Sequence, residues 1–226
     1  MSEPLILSVE TATLSGSVAV ARGDELLGVF SGDPGVSHSN TLLSDIDNLL
    51  AETKISLAEI DLFAVATGPG SFTGLRIGIA TVKALSATLD RPSSGIPTLE
   101  AVALSGGLAE RSVALLPAGR GEVFAQLFTV SAPGLVNPLD EPAHVPPARL
   151  IDRYGHLESV TWCGEGAIVH RELLESRAAD KDWRVAPSDP NLAAHVAKLA
   201  AHRTQFDDPY TLRAIYVRPA DAQLKT

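Results

Sequence analysis

Short unbroken apolar runs alternate along this chain with segments whose apolar residues recur at helical spacing, the pattern of an α/β protein. Leu5–Val9, Ser15–Ala21 and Glu25–Ser31 read as β segments, the last two separated by the turn residues Arg22-Gly23-Asp24. Over Asn40–Thr53, Leu42, Leu43, Ile46, Leu49 and Leu50 fall on one face of a helix of period 3.6, and Ser37-His38-Ser39 offers its cap. Ser56-Leu57-Ala58-Glu59 matches a capping box. A strand over Leu62–Ala66 then leads through a glycine-rich turn into an amphipathic helix, Thr73–Leu89, with Leu75, Ile79, Val82 and Leu89 as its apolar stripe. Gly95-Ile96-Pro97 leads to a further helix capped by Thr98.

After Ser105-Gly106-Gly107 the pattern restarts. Ser112–Leu116 and Glu122–Val130 read as strands flanking Ala118-Gly119-Arg120-Gly121. Prolines are frequent from Ala132 to Pro147, which predicts an irregular surface excursion. Val160–Cys163 is a strand, and Gly164-Glu165-Gly166 turns it into a helix over Ala167–Ser176. Ser188-Asp189-Pro190 reads as the start of a helix over Leu192–Arg203, and the apolar tail Leu212–Val217 as an element packed back on the body. The expected division is an N-terminal unit, residues 1–106, and a smaller second unit, residues 107–226, whose C-terminal tail returns to the body.

The run Gly68-Pro69-Gly70-Ser71-Phe72-Thr73-Gly74-Leu75-Arg76-Ile77-Gly78 is the most specific stretch of the sequence. Strand, glycine turn and helix in that order is where α/β proteins bind anions, because the backbone N–H groups at a helix start are unpaired. Neither common phosphate loop fits, however. No Lys follows any glycine as a Walker A loop requires, and Gly74 comes four places after Gly70 where the dinucleotide fingerprint requires three. Gly74 and Gly78 inside a helix cost up to about 1 kcal/mol each relative to alanine, so another backbone must approach them closely. Either the domain's own sheet or a second subunit satisfies that requirement.

Composition narrows the classes of function. Lys and Arg number 18 against 27 Asp and Glu, a formal charge of −9, and no run of basic residues forms. A chain that grips RNA unaided shows a basic patch or stripe, so contact with nucleic acid falls to another subunit. No apolar run nears the roughly 18 residues of a membrane span, and the start carries no basic signal region, so the expected location is the cytoplasm without membrane attachment. The single cysteine, Cys163, excludes an internal disulfide and reads as a buried, inert thiol. None of the six histidines lie four apart, and His195 and His202 stand two helical turns from one another, roughly 10 Å, too far to share an ion. No metal site and no catalytic constellation emerges. Gly70-Ser71-Phe72-Thr73-Gly74 is not a G-x-S-x-G nucleophile elbow.

The glycine run is also the intact G-P-G-S-F-T-G-x-R-I-G signature of the TsaB (YeaZ) family, which this chain resembles over nearly its whole length. Leu5-Ile6-Leu7-Ser8-Val9-Glu10-Thr11-Ala12-Thr13 is similar to the family's opening, with Glu10 in place of the usual Asp. Arg120-Gly121-Glu122-Val123-Phe124 and Tyr216-Val217-Arg218-Pro219 resemble two further family segments, although Pro117 and Gly119 stand where an Asp and an Arg are usual. Ala132 to Val160 is the weakest match.

The resemblance implies the actin-like, sugar-kinase-like (ASKHA) architecture of two RNase H-like subdomains. It also implies a non-catalytic scaffold or activator that pairs with the catalytic paralogue TsaD, with the ATPase TsaE, to threonylcarbamoylate the adenosine beside the anticodon of tRNA. In that picture ATP and Mg²⁺ are used by the partners, this chain requires no cofactor, and tRNA is met only indirectly. The two helices would carry the interface through Leu42, Leu43, Ile46, Leu50, Gly74, Arg76, Gly78, Ile79, Ala80 and Lys83, several of which serve equally as core. Arg76 would anchor the glycine loop or pair across the interface, and a homodimer through the same helices is the competing assembly. In the wider superfamily the acidic residue after the first strand organises Mg²⁺ and phosphates, which makes Glu10, Thr11 and Thr13 the nucleotide candidates. Glu10 reads alternatively as a turn carboxylate accepting backbone N–H groups, since its extra methylene misplaces a metal tuned to aspartate. The competing function is an active ATP-dependent kinase or carbamoyl-type transferase of the same superfamily.

Overall fold

The apolar runs become strands of two sheets, each in its own compact unit, in the computed structural model, which describes residues 3–32, 35, 38–178 and 180–217. The expected cap residue Ser37 and the Arg218-Pro219 end of the C-terminal element lie outside the described residues.

In the first unit, β1 (Leu5–Glu10), β2 (Ser17–Arg22), β3 (Glu25–Ser31), β4 (Leu62–Gly68) and β5 (Ser93–Pro97) form one sheet in the order β3-β2-β1-β4-β5. β1 pairs antiparallel with β2 and parallel with β4, which itself pairs parallel with β5. β1 is buried along its whole length because both faces of the sheet are covered, so apolar residues fill it without alternation apart from Ser8 and the terminal Glu10. On one face Leu5, Leu7 and Val9 pack with Phe63 and Val65 against α1 (His38–Thr53) and α2 (Phe72–Leu89). On the other face Ser8 donates from its hydroxyl to the carbonyl of Ala193 in α7 (Leu192–Ala201), at 2.7 Å. Ser17 accepts the Ala193 N–H at 2.9 Å, so two small hydroxyls seat the start of that helix.

The second unit repeats the plan. β6 (Ala109–Gly119), β7 (Glu122–Ala132), β8 (Leu135–Pro138), β10 (Ser159–Cys163) and β11 (Asp182–Val185) take the order β8-β7-β6-β10-β11, and β9 (Ala143–Val145) pairs with β7. The pairings match too: antiparallel on the hairpin side, parallel between β6, β10 and β11. The core here is built on Trp162, Tyr154, Leu150 and Leu115. Trp162 meets Trp183 edge-on at 5.0 Å and Tyr154 at 6.0 Å. Asp140 ties the short β8–β9 connection down: Oδ2 accepts from Arg153 at 2.7 Å and from the Tyr154 hydroxyl at 3.0 Å, and Oδ1 accepts the Leu127 N–H at 2.7 Å. Burial and the neighbouring Asp140 charge both push the Tyr154 phenol well above its usual range, so the hydroxyl stays a donor. Two sheets that share one five-strand order, the second with β9 added beside β7, each with its helices, are the two RNase H-like subdomains of the actin-like architecture.

Several elements differ from the sequence reading. The proline-rich Ala132–Pro147 stretch is not irregular; it supplies β8 and β9, and α4 (Ala148–Tyr154) follows directly. Short peripheral strands tolerate proline at their ends, and Pro138 is the last residue of β8. The single helix expected over Ala167–Ser176 is two, α5 (Glu165–Val169) and α6 (Arg171–Ala178), broken at His170, whose φ of −106° leaves the helical region. α7 starts behind Asn191 instead of Ser188 or Asp189, and the Asn191 amide oxygen accepts from the Ser31 hydroxyl at 2.6 Å. Thr98 is the first residue of α3 (Thr98–Ser105), and its hydroxyl accepts the Gly68 N–H at 2.9 Å. Residues 190–215 pack with the first unit, whereas the sequence division left them in the second. The apolar face of α7, with Ala193, Val196, Ala197 and Ala200 buried, is the face laid on the first sheet. Among the described residues no helix is long and apolar enough to cross a membrane.

Candidate functional site

The glycine signature and the β1–β2 turn form one joint, at the end of the first sheet where β1 and β4 both finish. Ser71 donates its N–H to the Ala12 carbonyl at 2.8 Å and caps α2 by accepting the Gly74 N–H on its hydroxyl at 3.2 Å. The Thr11 hydroxyl donates to the Gly74 carbonyl at 2.8 Å. Each glycine on α2 faces this turn. A Cβ on Gly74 would strike the Thr11 carbonyl oxygen, one on Gly78 the Thr11 hydroxyl, and one on Gly70 would lie 2.6 Å from both Cβ and O of Ala12. Gly68, at φ +113°, adopts a backbone that side chains strain to reach. Of the two readings of the glycines, the structure supports close approach within their own unit.

The candidate nucleotide residues are drawn into the same joint. Glu10 is fully buried and folds its carboxylate over its own turn: Oε1 accepts the N–H of Ala12 at 2.5 Å and of Thr13 at 2.8 Å, and Oε2 accepts the Thr13 hydroxyl at 2.7 Å. Three donors from one turn make that carboxylate a fastening of the loop, the second of the two readings given above. The Thr13 hydroxyl belongs to that fastening, while the Thr11 hydroxyl ties the turn to α2. Among the described residues no group of three His, Cys, Asp or Glu side chains converges as a metal site.

The structure sorts the ten interface candidates. Leu42, Ile46, Leu50 and Ile79 belong to the core between the helices and the sheet, because they share the helix faces turned to β1, β2 and β4. Gly74 and Gly78 are buried against Thr11. Outward there remain Leu43, 63% exposed, with Arg76 and Ala80 exposed and Lys83 half-buried. Sequence periodicity groups Leu42 and Leu43 together, yet adjacent residues on a helix point about 100° apart, and only one can enter the core. The outward face also carries Phe72, missed in the sequence reading and half exposed, with the Arg76 guanidinium 3.8 Å over its ring. Helical spacing identifies the pair, since residues four apart share a face. Ala84 and Ala87 continue that face as exposed small residues.

In the second unit the Arg120-Gly121-Glu122 segment forms the β6–β7 hairpin tip, with Arg120 exposed at φ +52°. Cys163 is fully buried, its sulfur 3.3 Å from the Ser112 hydroxyl, and burial pushes its thiol up to about 12. The thiolate is the reactive form, so the folded chain is expected to leave Cys163 unlabelled by a disulfide reagent at pH 8 and to react stoichiometrically once unfolded in urea. Rapid labelling of the folded chain would contradict that placement.

Comparison with known proteins follows the same lines. The family model described as TsaD, tRNA N6-adenosine threonylcarbamoyltransferase, matches residues 28–211, from β3 into the segment after α7. A Bacillus subtilis (strain 168) protein, tRNA threonylcarbamoyladenosine biosynthesis protein TsaB, is 24% identical over 222 residues, 97% of this chain and 96% of that protein. A solved structure from Pseudomonas aeruginosa, described by its similarity to peptidase YeaZ, superposes with a TM-score of 0.78 at 25% identity over 95% of this chain and 100% of that one. The chain belongs to the TsaB/YeaZ family. The Escherichia coli (strain K12) TsaB is 34% identical over 122 residues, 53% of this chain and 52% of that protein, which concentrates the likeness in about half of each. For the TsaB/YeaZ family, then, the glycine signature marks a joint within the first subdomain of this member, built on Thr11 and Ala12.

Proposed function

We propose that this chain takes part in tRNA threonylcarbamoyladenosine biosynthesis as a non-catalytic subunit that pairs with a TsaD-type transferase and supports its action on tRNA. The observation that carries the reading is the division of labour on α2. Its inner face is consumed by the sheet and by Thr11, while its outer face presents Phe72 stacked under Arg76 and then the low surface of Ala80, Ala84 and Ala87. An exposed aromatic–arginine pair is the composition that anchors protein interfaces, where aromatic residues and Arg concentrate, and the alanines beside it leave room for a partner to come close. The names borne by the relatives supply the pathway. The formal charge of −9 supports leaving the tRNA phosphates to a partner, and the absence from the sequence of histidines four apart supports leaving catalysis there too. ATP and Mg²⁺ then belong to the transferase and to a TsaE-type ATPase, and the reaction places the chain in the cytoplasm. A homodimer formed on the same outward face excludes the transferase, so the two assemblies compete.

Reconstitution tests this reading. A TsaD-type transferase from the same genome, supplied with a TsaE-type ATPase, a threonylcarbamoyl-adenylate donor and tRNA, is expected to modify the tRNA only when this chain is added. Equal modification in its absence would overturn the proposal. Steady ATP turnover by the isolated chain, abolished in Glu10→Gln, would establish the kinase-like alternative instead.

A further inference from the structure

We propose that residues 206–215 are a positioning strap that holds the glycine joint, and with it the start of α2, in its working conformation. The strap is fastened at both ends and pinned in the middle. At its start Asp207 forms an antiparallel bridge with Ser93: the Asp207 N–H donates to the Ser93 carbonyl at 2.7 Å, and the Asp207 carbonyl accepts from the Ser93 hydroxyl at 3.0 Å. The Asp207 carboxylate accepts the Gly95 N–H at 2.8 Å, so both donors on this outer edge of β5 are met by one residue. In the middle Leu212 is buried in the core shared by α1, α2 and the sheet, and the Tyr210 carbonyl accepts from the Lys83 ammonium on α2 at 3.4 Å. At the far end the Ile215 N–H donates to the Thr67 carbonyl at 2.7 Å. Its own carbonyl oxygen lies 2.5 Å from where a Cβ on Gly68 would stand.

That far end is where the β4–β5 pairing turns irregular: Gly68 sits opposite Pro97 after a register shift. There the Thr67 carbonyl takes its donor from the strap, one residue before the glycine run begins. Gly68 thereby lies between the strap and its bond to Thr98, and Ser71 and Gly74 follow against Ala12 and Thr11. Releasing the strap removes one wall of this joint while the β1–β2–β3 side keeps its own hydrogen bonds. Asp207 and Leu212 are positioning residues: they touch the loop only through β5, the core and Ile215. The consequence for partner binding rests on the reading of α2 as the partner-facing helix; the consequence for the joint does not.

Hydrogen–deuterium exchange on the full chain tests the strap directly. Leu212→Ala and, separately, Asp207→Ala are expected to speed exchange in peptides covering Gly68–Leu75, roughly tenfold for the first and a few-fold for the second. Peptides covering β2–β3 and β6–β7 should keep wild-type rates. Wild-type protection over Gly68–Leu75 while residues 206–215 exchange rapidly would make the strap a mere edge cover and overturn the proposal. Uniform loss across the first unit in both variants would overturn it as well, by reducing the strap to ordinary core. Affinity for the transferase, measured on the same variants, is expected to weaken in proportion to the exchange at Gly68–Leu75. Faster exchange there with no binding by any form, wild type included, would leave the strap standing and remove the scaffold reading instead.

Discussion

Gly74→Ala is expected to destabilise the chain by about 2–3 kcal/mol, although helix propensity alone favours alanine at this position by up to about 1 kcal/mol. The sign decides between packing and propensity. Gly74 lies in the first turn of α2 with its α-carbon against the Thr11 main chain, so the added methyl group meets a carbonyl oxygen that is itself fixed within the β1–β2 turn. Moving that carbonyl disturbs the three hydrogen bonds that Glu10 makes across the turn and the bond from Ser71 to Ala12. Gly78→Ala meets the Thr11 hydroxyl instead. The two substitutions therefore respond differently to Thr11→Ala. Removing the side chain should relieve much of the cost at Gly78 and little at Gly74, because the obstacle at Gly74 is backbone. Urea unfolding of the two double-mutant cycles measures this, with a coupling of about 1 kcal/mol or more expected for the Gly78 pair and near zero for the Gly74 pair. A Gly74→Ala chain more stable than the parent would show that the joint is open.

The second large effect separates core from interface on the same helix. Ile79→Asp is expected to unfold the first unit, since it places an unpaired charge among Leu7, Val9 and Leu50, at a cost of several kcal/mol against a total stability of about 5–15 kcal/mol. Ala80→Glu, one residue along, points outward and is expected to change stability by less than about 0.5 kcal/mol. If α2 meets the transferase through its outer face, Ala80→Glu should nonetheless abolish the complex, because a buried carboxylate without a counter-charge has no place in a close helix contact. Thermal unfolding and binding measured side by side distinguish the two variants. Loss of binding in a folded Ala80→Glu chain supports the interface, and undiminished binding would remove α2 from it.

Much of the fold is legible in the sequence, because β1, β4 and the stripes of α1 and α2 are long enough for period to speak. The strands β5, β8, β9 and β11 are not, since three to five residues, most of them including Gly, Pro or charge, look like loop until a neighbouring strand supplies their hydrogen bonds. The break at His170 and the start of α7 behind Asn191 depend on tertiary partners such as Ser31, far away in sequence. The site is legible in part. Gly74 and Gly78 announce a close approach, but whether the approaching backbone belongs to the same sheet or to a second subunit is a question of space that no spacing rule answers. Leu42 and Leu43 show the same limit: both are apolar, both lie in the periodic stretch, and only burial tells the core residue from the exposed one. Phe72 escapes notice because it stands inside a glycine turn, outside the stripe that hydrophobic periodicity selects. The strap carries no periodic signal whatever, since its fastenings are main-chain bonds, single side chains such as Asp207 and Lys83, and one leucine.

The central claim is that the outward face of α2 docks on a TsaD-type transferase. Molar mass by light scattering on a sizing column, for this chain alone, for the transferase alone and for their mixture, tests it most directly when the Ala80→Glu chain is run beside the wild type. The expected result is a one-to-one species from the wild-type mixture that disappears with Ala80→Glu while both proteins elute folded. Wild-type chain and transferase eluting apart, or a complex that persists unchanged with Ala80→Glu, would contradict it.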